Sequence, residues 1–252
     1  MTASRQPELL LVDISNSFTK VAPASRDALG AEPVQIPTPE LDAEALRATP
    51  WGEPSAVVLS SVVPERNAAV EAAFPNAQMI TVSPDIDLGI AVDYPEPASI
   101  GADRIADAVA AVHFYQAPVV AVDFGTAVTF DIVSPSGAYV GGVIAPGLAA
   151  MTDYLYDHTA LLPRIDLHEP TSAIGKSTEG AMQAGAVYGY RGLVKGVLAE
   201  IASELGVQQR VPVVATGGYA SLISDGMDEI DTVHPNLTLE GLRIIGGLNA
   251  KP

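Results

Sequence analysis

Residues 9–20 read LLLVDISNSFTK, and residues 119–130 read VVAVDFGTAVTF. In each, a short aliphatic run is followed by Asp, then by small and hydroxylic residues that include Thr. An aliphatic run of this length bounded by turn formers is the pattern of a buried strand. The Ser, Asn, Gly and Thr cluster after it is the pattern of a tight turn. Two copies of one device about half a chain apart predict two similar α/β domains, residues 1–116 and residues 117–252. A third strand followed by a turn, VPVVATGGYA, occupies 211–220.

The segments between these runs fit α/β layering. PELDAEALRA at 39–48 has Pro early and acids next, as at a helix start. DRIADAVAAVHFY at 103–115 places Ile105, Val109 and Val112 at helical spacing, and 178–205 predicts a long helix of small residues that stops at Gly206. Residues 21–38 predict a loop or hairpin, and YVGGVIAPGLAAM at 139–151 reads either as a hairpin turning into a helix or as plain scaffold.

Charge narrows the function. With 30 acidic against 13 basic residues the net charge is −17, which repels phosphate backbones and anionic membranes, so nucleic acid and membrane partners are not expected. An anionic substrate must then be held by local devices such as turn N–H groups, single basic side chains or a bound cation. The absence of Cys excludes thiolate catalysis and Cys zinc sites, and His113, His158, His168 and His234 lack metal-site spacing. The longest apolar run near the start, Leu9 to Val12, is too short for a secretory or membrane segment, so a cytoplasmic location is expected.

A carboxylate at the end of a buried strand is unfavourable unless it is paired or bound to a cation. Two Asp turns facing each other would hold nucleotide phosphates, with the acids organising Mg²⁺ through water. Asp13, Asn16, Ser17, Thr19 and Lys20 are read as the first turn, and Asp123, Gly125, Thr126 and Thr129 as the second. Gly217 and Gly218 would let backbone approach an adenosine closely. In SIGADRIAD at 99–107, Asp103 is read either as a helix cap or as a proton acceptor for a substrate hydroxyl, with Arg104 holding the substrate's charged end. Gly175-Lys176-Ser177-Thr178 imitates the end of a P-loop, but Pro170 stands where its first Gly belongs and no strand precedes it.

Taken in order, these motifs resemble the type III pantothenate kinase family of the acetate-and-sugar-kinase/Hsp70/actin superfamily. DISNSFTK, SSVVPERN at 60–67, DYPEPASIGADR at 93–104, DFGTAVTFD at 123–131, GAYVGGVIAPG at 137–147, IGKST at 174–178, AVYGY at 186–190 and ATGGYA at 215–220 carry the resemblance across nearly the whole chain. It implies two ribonuclease H-like, actin-like domains, each a mixed sheet with helices, and an active site in the cleft between them. It implies ATP-dependent phosphorylation of pantothenate, the first step of coenzyme A biosynthesis, with Mg²⁺ and a monovalent cation, K⁺ or NH₄⁺, in a cytoplasmic homodimer.

Residue by residue, the resemblance makes Asp103 the general base and Gly101, Ala102, Asp103 and Arg104 the substrate-binding run, with Tyr94 and Thr178 as further substrate contacts. Asp13, Ile14, Ser15, Asn16, Ser17, Phe18, Thr19 and Lys20, together with Thr126, match ATP-phosphate positions, and Asp123 matches the cation site. The family's first motif usually reads Asp-x-Gly-Asn-Thr; here Ser15 replaces the Gly and Ser17 the Thr. A Cβ at 15, where backbone would need positive φ or close phosphate approach, leaves open a ligand-binding regulatory protein; a second alternative, independent of Ser15, is another small-molecule kinase of the superfamily.

Overall fold

Leu9, Leu10, Leu11, Val12 and Ile14 are all fully buried, so the first aliphatic run is a strand covered on both faces. The computed structural model of the chain describes residues 6–251. In chain order its elements begin β1 Leu9–Ile14, β2 Phe18–Ala24, β3 Val34–Pro37, α1 Ala43–Arg47, β4 Ala56–Ser61, α2 Asn67–Ala73, β5 Gln78–Thr81, β6 Ala91–Val92 and α3 Ala102–Tyr115. They continue β7 Val119–Phe124, β8 Ala127–Val133, β9 Ala138–Pro146, α4 Leu148–His158, α5 Thr178–Leu205, β10 Val213–Thr216, α6 Ala220–Ser224, β11 Thr232–Val233 and α7 Leu237–Asn249.

The described residues form two compact units. The first takes the chain up to 116, residues 137–140 and the segment from 236 onward; the second takes 117–136 and 141–235. The sequence reading gave everything after 117 to the second domain, and α7 departs from it. The reason is packing: α7 lies against α3 and against β1 and β4, with Gly241 on the Ala106 backbone and Gly246 against Leu9 and Val58.

The first unit is built on a mixed sheet of order β3-β2-β1-β4-β5, in which β1 pairs antiparallel with β2 and parallel with β4. Because strand side chains alternate, Leu10, Val12 and Ile14 face one side. There they meet Leu46 of α1 and Val70 and Ala73 of α2 in one apolar cluster. Leu9, Leu11 and Asp13 share the opposite face, the side of α7. Burying β1's five aliphatic side chains contributes roughly 10 kcal/mol at about 1.5–3 kcal/mol each, enough to carry one carboxylate at the strand's end.

The second unit's sheet runs β11-β10-β7-β8-β9; β7 pairs antiparallel with β8 and parallel with β10. The opening residues of β9, Ala138 and Tyr139, pair with β6 and group with the first unit. The stretch read as a hairpin at 139–151 is one strand, β9, running into α4. The helix read at 39–48 begins later, where the Asp42 side chain caps α1 by accepting from Ala45 N; Pro39 lies in a preceding 3₁₀ turn. Residues 21–38 contain most of β2 and all of β3. Helix α5 spans the expected 178–205 and stops at Gly206 in the left-handed region.

Two glycines test this packing. A Cβ at Gly241 would collide with the Ala106 backbone, whereas one at Gly196 in α5 meets nothing. Gly241→Ala is expected to destabilise the protein by about 3 kcal/mol through overpacking. Gly196→Ala is expected to stabilise it by about 0.5–1 kcal/mol through helix propensity. Urea unfolding of both variants measures the difference.

Candidate functional site

Asp13 is the next-to-last residue of β1 and only 3% exposed. Register sets its neighbours: Ser60 lies across from it on β4 and Lys20 on β2. Ser60 Oγ donates to Asp13 Oδ1 at 2.9 Å, and Ser15 Oγ to Oδ2 at 3.4 Å. Burial, then the nearby charge of Asp103, push the Asp13 carboxyl up to about 6, while Lys20 and the two hydroxyls pull the other way.

The chain then turns over Ser15, Asn16 and Ser17, with Ser15 N donating to Phe18 O at 3.3 Å. Thr38 fastens this turn from beside it: its Oγ1 donates to Ser15 O at 2.7 Å and its N to Ser17 O at 3.0 Å. Asn16, Ser17 and Phe18 are exposed, and Ile14 is in the core. Thr19 and Lys20, read as part of the turn, are on β2; Thr19 is buried with its hydroxyl against Thr38. Gln116 is the one non-glycine with positive φ among the described residues, so Ser15 sits in ordinary backbone without the strain its Cβ was expected to cause.

Asp103 is the second residue of α3, and the N-cap position belongs to Gly101. The reading of Asp103 as an N-cap is therefore corrected by two positions: its Oδ1 accepts the N–H of Arg104 at 2.8 Å inside the first turn. Burial raises the Asp103 carboxyl above the usual range, and the bond from Arg104 N and the Arg104 charge offset part of the rise. Ala102 is buried beside it. The Arg104 guanidinium lies 6.0 Å from the ring centroid of Tyr139, a fully buried side chain that also meets Tyr94 edge-on at 6.2 Å. Tyr139 is thus the support for Arg104 that sequence reasoning left unassigned.

In the second unit Asp123 repeats the position of Asp13, next to last in β7, with Thr129 across on β8 and Thr216 on β10. Thr129, read as part of the turn, is on β8, and its Oγ1 donates to Asp131 at 3.1 Å. Thr126 is exposed in a two-residue turn, whose carbonyl accepts Gly147 N at 3.1 Å. Tyr190 of α5 fixes the Pro146–Gly147 corner: its buried hydroxyl donates to Pro146 O at 3.0 Å, and burial raises its pKa. Gly217 has φ +92, and a Cβ there would strike the Asp123 carboxylate and the Phe124 backbone, so its closest partner is the chain itself. A Cβ at Gly218 would meet nothing within 4 Å.

Thr178 is the exposed first residue of α5, after Ser177, whose Oγ caps Gly180 N at 3.0 Å. It lines an apolar groove of about 960 Å³ with Met151, Tyr154, Leu155 and Met182. Gly175 packs onto the first turn of α5, and residues 159–177 form no strand, so the P-loop-like string is a helix start.

Among the described residues no group of three or more His, Cys, Asp or Glu could hold a metal. Asp13 offers one buried carboxylate, a donor that suits Mg²⁺ held mainly by phosphate oxygens and water. The arrangement in the first unit can therefore position an ion-bound phosphate beside a raised carboxyl and a supported guanidinium.

The family model of type III pantothenate kinases matches residues 9–200. A type III pantothenate kinase of Akkermansia muciniphila is 52% identical over 246 residues, covering 95% of this chain and 98% of the relative. One of Methylacidiphilum infernorum is 44% identical over 244 residues, covering 96% and 89%. Among solved structures, a Campylobacter jejuni protein described as of the Baf family of transcriptional activators superposes with a TM-score of 0.62 at 21% identity, covering 94% of this chain and 96% of that one. The activator of 2-hydroxyisocaproyl-CoA dehydratase from Clostridium difficile, with bound ADPNP, does so with a TM-score of 0.54 at 12% identity, covering 96% and 94%. At those identities the likeness is one of fold, and it agrees with the two actin-like α/β units expected.

The raised Asp13 carboxyl fixes a pH dependence. Its pKa of about 6 in the fold lies above the ordinary 3.8, so its stabilising contribution is complete below about 3.8 and is lost as pH rises through about 6. Asp13→Asn is expected to be more stable than the native chain by about 3 kcal/mol at pH 7.5, with the gap closing towards pH 4. Urea unfolding across that range checks the slope.

Proposed function

The chain belongs to the type III pantothenate kinase family, and from that premise we propose that it transfers the terminal phosphoryl group of ATP to the primary hydroxyl of pantothenate, opening coenzyme A biosynthesis. The observation that carries the reading is the crowding of Asp13 and Asp103 in one unit: two carboxyls held above their usual range, one at a strand end among hydroxyls and one in the first turn of a helix beside Arg104.

Each residue then has a task. The turn after β1, with Asp13, Ser15, Asn16 and Ser17, receives nucleotide phosphate, and Lys20 adds positive charge beside Asp13. Mg²⁺, when bound, neutralises charge on the transferring phosphoryl group. Arg104, steadied by Tyr139, holds the carboxylate of pantothenate, while Gly101, Ala102, Tyr94 and Thr178 complete the substrate contacts. Asp103 takes the hydroxyl proton as the new P–O bond forms; its raised carboxyl makes it a better proton acceptor than an ordinary carboxylate. In the second unit Thr126 contacts phosphate and the Gly217–Gly218 corner receives adenosine.

Asp123 is assigned a monovalent cation, K⁺ or NH₄⁺; a carboxylate beside a turn rich in backbone oxygen supports the assignment. A homodimer is proposed as well, supported by Tyr154 and Leu155 of α4, which are exposed on the apolar groove that Thr178 lines. The setting proposed is the cytoplasm; among the described residues no helix is long and apolar enough to cross a membrane. The ordinary backbone at Ser15 argues against the strained turn that would suit a ligand-binding regulator.

Purified protein with Mg²⁺-ATP and pantothenate is expected to release ADP and phosphopantothenate, detected by mass spectrometry, with more product in K⁺ than in Na⁺. Nucleotide binding without pantothenate-dependent ADP release would sink the reading. Asp103→Asn is expected to lower kcat by about 10²- to 10⁴-fold while leaving the Kd for Mg²⁺-ATP within about twofold; equal loss of both would remove Asp103 as the base.

A further inference from the structure

The two oxygens of Asp13 are held differently. Oδ1 accepts from Ser60 at 2.9 Å, a normal O–H···O distance; Ser60 is fully buried, and its place is set by strand register with β1. Oδ2 accepts from Ser15 at 3.4 Å, longer than such bonds normally are, from a turn residue that is partly exposed. One hydroxyl is held at normal distance within the sheet, and the other sits at a long distance in the turn.

We propose that Ser60 is a positioning residue for Mg²⁺-dependent nucleotide binding, fixing Asp13 through Oδ1 so that Oδ2 is the oxygen offered to the ion's water, while Ser15 holds Oδ2 only until that water arrives. The proposal rests on the reading of the Asp13 turn as a phosphate site. Two physical arguments lead to it. A carboxylate in a strand can rotate about its terminal bond, and a hydroxyl donor on one oxygen stops that rotation at the moment of ion binding. Partners that orient a metal-facing carboxylate from behind usually change ion affinity 10- to 100-fold when removed. Ser15 needs no such precision, because a water molecule can replace its hydroxyl on Oδ2.

The test reads binding, so it does not depend on turnover. ATP affinity is measured by calorimetry with Mg²⁺ and again with EDTA, alongside thermal unfolding. Ser60→Ala is expected to weaken Mg²⁺-ATP binding about tenfold or more and to leave metal-free ATP within about twofold. Ser60→Cys keeps the volume but donates weakly, so it is expected to fall between. Equal weakening with and without Mg²⁺ would mean that Ser60 only supports the fold, and no weakening would mean that it orients nothing; either overturns the proposal. A native chain that binds Mg²⁺-ATP but forms no phosphopantothenate would sink the kinase reading and leave the Ser60 measurement valid.

Discussion

Strand β1 buries a carboxylate at its end, and much of the first unit is arranged around that fact. Asp13 shares a face with Leu9 and Leu11 and is buried like them, so its charge must be answered by neighbours within bonding reach. The answers come from three elements at once: Ser60 from the parallel strand, Lys20 from the hairpin strand and Ser15 from the turn between. The carboxyl is still pushed up to about 6, so these partners do not make good the lost hydration. A folded chain that holds a carboxylate in this condition gains when a cation comes to it, and that gain is available to ligand binding.

The second unit repeats the layout with different consequences. Asp123 is again next to last in its strand, again has a hydroxyl residue across on the parallel neighbour, and again precedes a hairpin turn. Thr216, the counterpart of Ser60, donates instead to Pro235 O at 3.4 Å, and Gly217 brings backbone down onto the Asp123 carboxylate. The same topology therefore surrounds its two acids differently, with Gly217 main chain close to the second.

The sequence disclosed what depends on local chemistry. Aliphatic runs became strands, the long small-residue stretch became α5, and the Asp turns fell where the repeat put them. What stayed hidden depends on register and on distant packing. Ser60 lies 47 residues from Asp13, and only the pairing of β1 with β4 makes it a partner. Tyr139 is a β9 residue in a glycine-rich stretch that gave no sign of standing under Arg104. Thr38 meets the Ser15 turn only because β3 returns along β2. The misplacement of Asp103 as a cap has a local origin: Gly101 and Asp103 both suit helix starts, and composition does not choose between them.

Helix α7 carries a consequence for how the protein is made. It packs on β1, β4 and α3, yet in the chain it comes after the whole of the second unit. A ribosome that has finished residues 1–116 has produced a sheet and a helix α3 whose Leu9, Val58 and Ala106 surfaces lack their cover. Closing contacts so distant in sequence carries the loop entropy of everything between them and slows folding. The second unit, whose elements are contiguous from β10 through β11 and nearly so from β7 onward, can mature first during synthesis, and the first unit must wait exposed for its last helix.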